Sequence, residues 1–152
     1  MSLWKALYDV FEKEHARVEK HKGQQRALVF EIEANINFIA AGLEQGLSVD
    51  KIVAGIDVDV FKQSMTQGYD FNRLTANSLV ANTIIDYPEF DKYIGKSSDE
   101  LVINVYDKIF VLQKLMQAGR FRQDGKLKSL LRMLILVLFH LQGKVLPKRK
   151  NS

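Results

Sequence analysis

Apolar residues concentrate most strongly at residues 127–142, LKSLLRMLILVLFHLQ, which leave almost no polar face on a helix. A helix that is apolar nearly all round belongs in a core, at an interface or in a membrane. A bilayer span needs about 20 apolar residues. Here the unbroken apolar run, residues 133–139, is bounded by Arg132 and His140, so the stretch predicts a buried helix and no membrane span. Upstream, Leu101, Val105, Ile109, Leu112 and Met116 recur on one helical face, broadened by Val102, Tyr106 and Phe110. Ser97 and Glu100 have the spacing of a capping box at the start of this helix. Gly119 has the residue type that ends one. The connector RFRQDG is short, so the two helices are expected to pack as an antiparallel hairpin. Their predicted core comprises Leu101, Val105, Ile109, Leu112, Leu130, Leu134, Val137 and Leu138.

The N-terminal pattern is longer. Trp4, Leu7, Phe11 and Val18, then Leu28, Ile32, Ile39 and Leu43, fit one helical register. A continuous helix over residues 3–45 would span roughly 60 Å at about 1.5 Å per residue, more than so small a domain accommodates. The long N-terminal helix is therefore expected to break, bend or overhang near Gly23, a split into two helices being the first choice. Residues 29–39 (VFEIEANINFI) and 55–61 (GIDVDVF) also alternate apolar and polar, the pattern of a β-hairpin. Glu, Ala and Asn are poor strand residues, which favours the helix.

Gly42 and Gly46 read as that helix's end, and Ser48 as the cap of a short helix after it. Asp57 or Asp59 opens another, closed by Gly68. Tyr69, Phe71 and Leu74 pin a turn, residues 75–85 (TANSLVANTII) predict a further helix, and the sequence DYPE at 86–89 predicts a helical turn ending near Gly95. The fold class is all-α: an irregular multi-helix bundle with a long N-terminal helix and a C-terminal antiparallel helical hairpin. Residues 1–146 form one helical domain, and 147–152 a basic flexible tail.

Composition adds bounds. A chain of 152 residues suits one domain with a real core. Without cysteine it has no disulfide and no thiolate metal site. The N-terminus lacks the apolar centre and cleavage site of a signal peptide, and the expected setting is cytoplasmic. The net charge of +4 is unevenly spread. Residues 120–152 hold nine basic residues against one acid, while the preceding part is net −4. Arg120, Phe121, Arg122, Lys126 and Lys128 surround the connector, and Lys148, Arg149 and Lys150 follow the last helix. These are candidate anion-binding residues, with Phe121 set between two arginines where a base could stack. A helix of about 17 residues would hold the two groups roughly 25 Å apart.

Catalytic signatures are weaker. Glu12 and His15 have the Glu-x-x-His spacing of di-iron bundles, but no second such pair exists in the sequence. Arg132 and His140 share one flank of the last helix. An Arg–His pair on a late helix is similar to that of the HEPN-class ribonucleases, and that resemblance implies an RNA-cleaving alternative. In that class the two residues stand closer together and a polar residue follows the Arg; here residues 133–139, all apolar, intervene. The simpler expectation pairs Arg132 with a carboxylate such as Asp107 and gives His140 a hydrogen bond near the helix end. Neither a phosphate-cradling glycine loop nor a nucleophile elbow occurs, and Asp57 and Asp59 lack the further ligands of a calcium loop. No cofactor or metal is expected. The leading expectation is a non-catalytic helical interaction or regulatory module that self-associates through Trp4, Leu7, Tyr8 and Phe11, since aromatics favour interface centres. The alternative is nucleic-acid or anionic-surface binding by the basic C-terminal third.

Overall fold

The computed structural model describes residues 4, 5, 7–9, 23–119 and 124–149. Among these there is no strand. After the helical residues Trp4, Lys5 and 7–9 come α1 (Gly23–Glu44), α2 (Val49–Ala54), α3 (Asp59–Thr66), α4 (Ser98–Gln117) and α5 (Asp124–Leu141). Three 3-10 turns, Phe71–Arg73, Ala81–Ile84 and Pro88–Tyr93, lie between α3 and α4.

The long N-terminal helix is corrected. The described helix starts at Gly23 and runs for 22 residues, about 33 Å. Residues 10–22, which precede the expected break, lie outside the described residues. The alternation at 29–39 belongs to α1, and its origin is physical. Ile32, Ile36 and Ile39 are buried on one side, while Glu31, Glu33 and Asn35 are buried as well, because each has a polar partner. The Glu31 carboxylate accepts from the backbone N–H of Val60 (2.7 Å) and Phe61 (3.2 Å) and from the Tyr106 hydroxyl (2.7 Å). It therefore caps α3, which starts at Asp59 as expected, from another helix; Val58, at the cap position, makes no side-chain bond. Asn35 donates to Asp57 O and accepts from Asp57 N, at 2.8 and 2.9 Å. Gln142 reaches Glu33 at 3.3 Å.

Gly42 does not end α1. It lies within the helix, and a Cβ there would come within 2.8 Å of Ile52, so the glycine admits the close approach of α2. Gly46, at φ +73°, makes the turn out. Ser48 caps α2 by accepting from Lys51 N.

The helix expected over 75–85 is also corrected: only Ala81–Ile84 is helical, as a 3-10 turn. The segment before it pairs with the chain ahead of α4, Leu79 N donating to Lys96 O and Gly95 N to Leu79 O. Thr75 O accepts from the Ser98 hydroxyl at 2.8 Å. Those bonds compete with a helix that two asparagines already weaken. The capping box at Ser97 and Glu100 forms in both directions, and Gly119 takes φ +73° after α4.

Helix α5 is the centre of the molecule, packed against α1, α2 and α4. Residues 133–141 are all buried, as are all eight core residues expected of the last two helices. No helix among the described residues is long and apolar enough to cross a membrane. On the far side of α4, Phe61 stacks on Tyr106 with centroids 4.2 Å apart, and on Phe71 at 5.7 Å.

The expected free tail is docked through Arg149. Leu146 is buried and its N–H donates to Thr83 O. Pro147 O accepts from the Tyr87 hydroxyl at 2.7 Å. Arg149 donates its N–H to Asp86, forks onto both Glu89 oxygens at 2.9 Å, and lies 5.0 Å over the Tyr87 ring. Residues 150–152 lie outside the described residues.

Candidate functional site

The C-terminal half of α4, the N-terminal half of α5 and the turn Pro88–Tyr93 enclose a cleft of about 480 Å³. Its position follows from local sequence. Pro88 starts the turn with φ preset, and Phe90 and Tyr93 bury their rings beneath it. Helix α5 turns Ser129, Arg132 and Met133 toward the same space, and α4 supplies Asp107, Lys108, Val111 and Leu115. Four cations, Lys92, Lys108, Lys126 and Arg132, face two acids, Glu89 and Asp107. Glu89 is already engaged by Arg149, so the cleft's uncompensated charge is positive.

Arg132 carries, at Nε, one of three buried side-chain polar atoms without a hydrogen-bond partner among the described residues, the others being the Tyr69 hydroxyl and Asn104 Oδ1. Arg132 and Asp107, the pair suggested by the sequence, line one cleft, and the Arg132 Nε–H is left unmade. Guanidinium N–H groups are strong donors in a fixed fork that matches carboxylate and phosphate oxygens.

A second depression of about 370 Å³ on the other flank of Tyr93 and Asp107 carries the opposite sign, with Asp99, Glu100 and Asp107 against Lys96. Lys96 pairs with Glu100 at 3.4 Å.

His140 and Arg132 do not form one site. His140 is buried at the far end of α5, its Nε2 3.1 Å from the Ser98 hydroxyl. Because Ser98 gives its only proton to Thr75 O, it is the acceptor here, and His140 holds its proton on Nε2. Burial pushes the His140 pKa down. A serine so committed, and itself buried, is a structural partner and not a nucleophile.

The residues singled out from sequence are dispersed. Trp4 and Leu7 lie in the core, and Tyr8 is half-buried with its hydroxyl on Asn37 at 3.0 Å. Two of the four candidate interface residues, Trp4 and Leu7, are thus buried within the chain; Phe11 lies outside the described residues. Of the candidate anion-binding residues, Lys126 lines the cleft. Lys128 and Lys148 are exposed elsewhere and Arg149 is ion-paired, while Arg120, Phe121, Arg122 and Lys150 lie outside the described residues. Sequence reasoning missed Lys92 and Lys108, which come from separate elements. The one legible signal was Arg132, a charge interrupting an apolar helix. The chain matches no protein-family model, no curated protein and no solved structure.

Proposed function

We propose that this chain is a non-catalytic helical binding module whose ligand presents a carboxylate or phosphate to the cleft between α4 and α5. The observation that carries the reading is the buried Arg132 Nε without a partner, in a cleft that Lys92, Lys108 and Lys126 also line. A buried donor left unmade costs about 1–3 kcal/mol, and an anion that accepts from it recovers that cost while meeting a positive field. The site rests on α4 and α5 forming an antiparallel hairpin. In its favour, Ser98 at the start of α4 meets His140 near the end of α5, and Leu115 shares the cleft with Lys126.

Concavity favours a small ligand over a nucleic-acid duplex, because pockets of about 300–1,000 Å³ suit small molecules and a duplex is gripped by phosphate contacts spread along its length. Self-association loses its motive once Trp4, Leu7 and α5 are buried within one chain. The test is calorimetric titration with inorganic phosphate and short carboxylates at low salt. Binding is expected, weakened about tenfold by Arg132→Gln through loss of a charge-assisted hydrogen bond and reduced at higher salt. If no anion binds at low salt, the reading is wrong.

A further inference from the structure

The cleft's walls specify more than charge. Val111 and Leu115, four residues apart on one face of α4, line it opposite Leu130 and Met133 of α5, with Leu112 in the floor. Val111 is 49% exposed, a large aliphatic side chain left in water on a concave wall. The cleft's aromatic rings are less available: Phe90 and Tyr93 are only 4% and 7% exposed, and Lys92 Nζ lies 5.3 Å over the Tyr93 ring. A nucleobase therefore finds little ring face on which to stack, whereas an aliphatic chain finds a continuous strip of aliphatic contacts. That strip lies beside Arg132, the donor without a partner, and a volume of 480 Å³ is in the small-molecule range.

We infer that the cleft binds a single acyl-chain anion, with its carboxylate or phosphate head on Arg132 and its chain laid between Val111–Leu115 and Leu130–Met133. This rests on the anion-binding reading above and names the ligand class of the same site. The head places charge where cations converge, and the chain removes Val111 and Leu115 from water. Burial of a methylene tightens binding roughly fourfold when complete and about twofold when the group stays half in solvent. Affinity must then climb with chain length, a behaviour that a simple anion site lacks.

The test is titration of the full chain with butanoate, hexanoate, octanoate and octyl phosphate below their micelle concentrations. Inorganic phosphate, adenosine monophosphate and anionic phospholipid vesicles are compared. Affinity is expected to rise about two- to fourfold per methylene. Val111→Ser should flatten that rise, weakening octanoate more than butanoate, and Arg132→Gln should weaken every chain length by a common factor. Octanoate against octyl phosphate distinguishes the two head groups. Val111 is exposed, so its variant keeps the test decisive even if Arg132→Gln fails to fold. A flat chain-length series with Arg132-dependent phosphate binding would overturn the acyl inference and leave the anion reading standing. Adenosine monophosphate outcompeting octanoate, or binding to vesicles alone, would also overturn it. Absence of all anion binding would overturn both.

Discussion

Glu31 accepts from three donors on two other elements while only 5% exposed. A carboxylate at a helix N-terminus satisfies N–H groups that the helix leaves unmade and lies at the favourable end of its dipole. Burial and the neighbouring Glu31 also push the Tyr106 pKa well up, so the hydroxyl stays a donor. Glu31→Ala strands all three donors and should destabilise the fold by about 2–4 kcal/mol, measured by urea unfolding; Tyr106→Phe, which removes one donor, should cost about 1 kcal/mol. His140 makes a second residue-scale case. Its folded pKa lies below the unfolded value of about 6.5, so the unfolded chain binds more protons between the two values and stability falls as pH drops through that window. Urea midpoints recorded from pH 7.5 downward should decline once pH passes below 6.5, and His140→Gln should remove that part of the decline. An unchanged profile in the variant would assign the acid sensitivity to other groups. None of these partners was legible in sequence, because 29 residues separate Glu31 from Val60 and 42 separate Ser98 from His140.

Elements were legible where the determinants are local. The Ser97–Glu100 box, the Ser48 cap, Gly119 and the run 127–142 all act within a few residues of themselves, and each appears where expected. The stretch 75–85 was misjudged because its backbone is claimed by Lys96, Gly95 and Ser98, partners outside any local window. The dual burial of α1, apolar on one side and hydrogen-bonded polar on another, also explains why its pattern resembled a strand. The core of α4 and α5 follows the expected faces, with Leu134 wholly buried. Leu134→Ala should cost about 2–5 kcal/mol, the range for a large-to-small change at a packed site. A loss below 1 kcal/mol in chemical denaturation would mean that α5 is not the centre of the fold.

At the scale of the whole molecule, the C-terminal strap and the cleft share Glu89. Its carboxylate lines the cleft and is also the acceptor of the Arg149 fork. Of the basic residues that were expected to form a free tail, Arg149 thus neutralises an acid at the edge of the cleft. Sequence could not show this, because 60 residues separate Arg149 from Glu89. Arg149→Gln leaves Glu89 charged and unpaired, and that negative charge opposes an anionic ligand held nearby. The pair is partly exposed, so solvent and salt screen it and the effect is modest, on the order of 0.2–1 kcal/mol, or at most about a fivefold loss of anion affinity at low salt. Adding Glu89→Gln to Arg149→Gln removes the exposed acid and should restore affinity to at least the starting value. Both effects should shrink together as ionic strength rises and the Debye length falls from about 10 Å at 0.1 M to about 3 Å at 1 M. A loss in Arg149→Gln that Glu89→Gln fails to rescue would instead trace to the strap's packing, through Leu146 and the Tyr87–Pro147 bond, and not to the charge at the edge of the cleft.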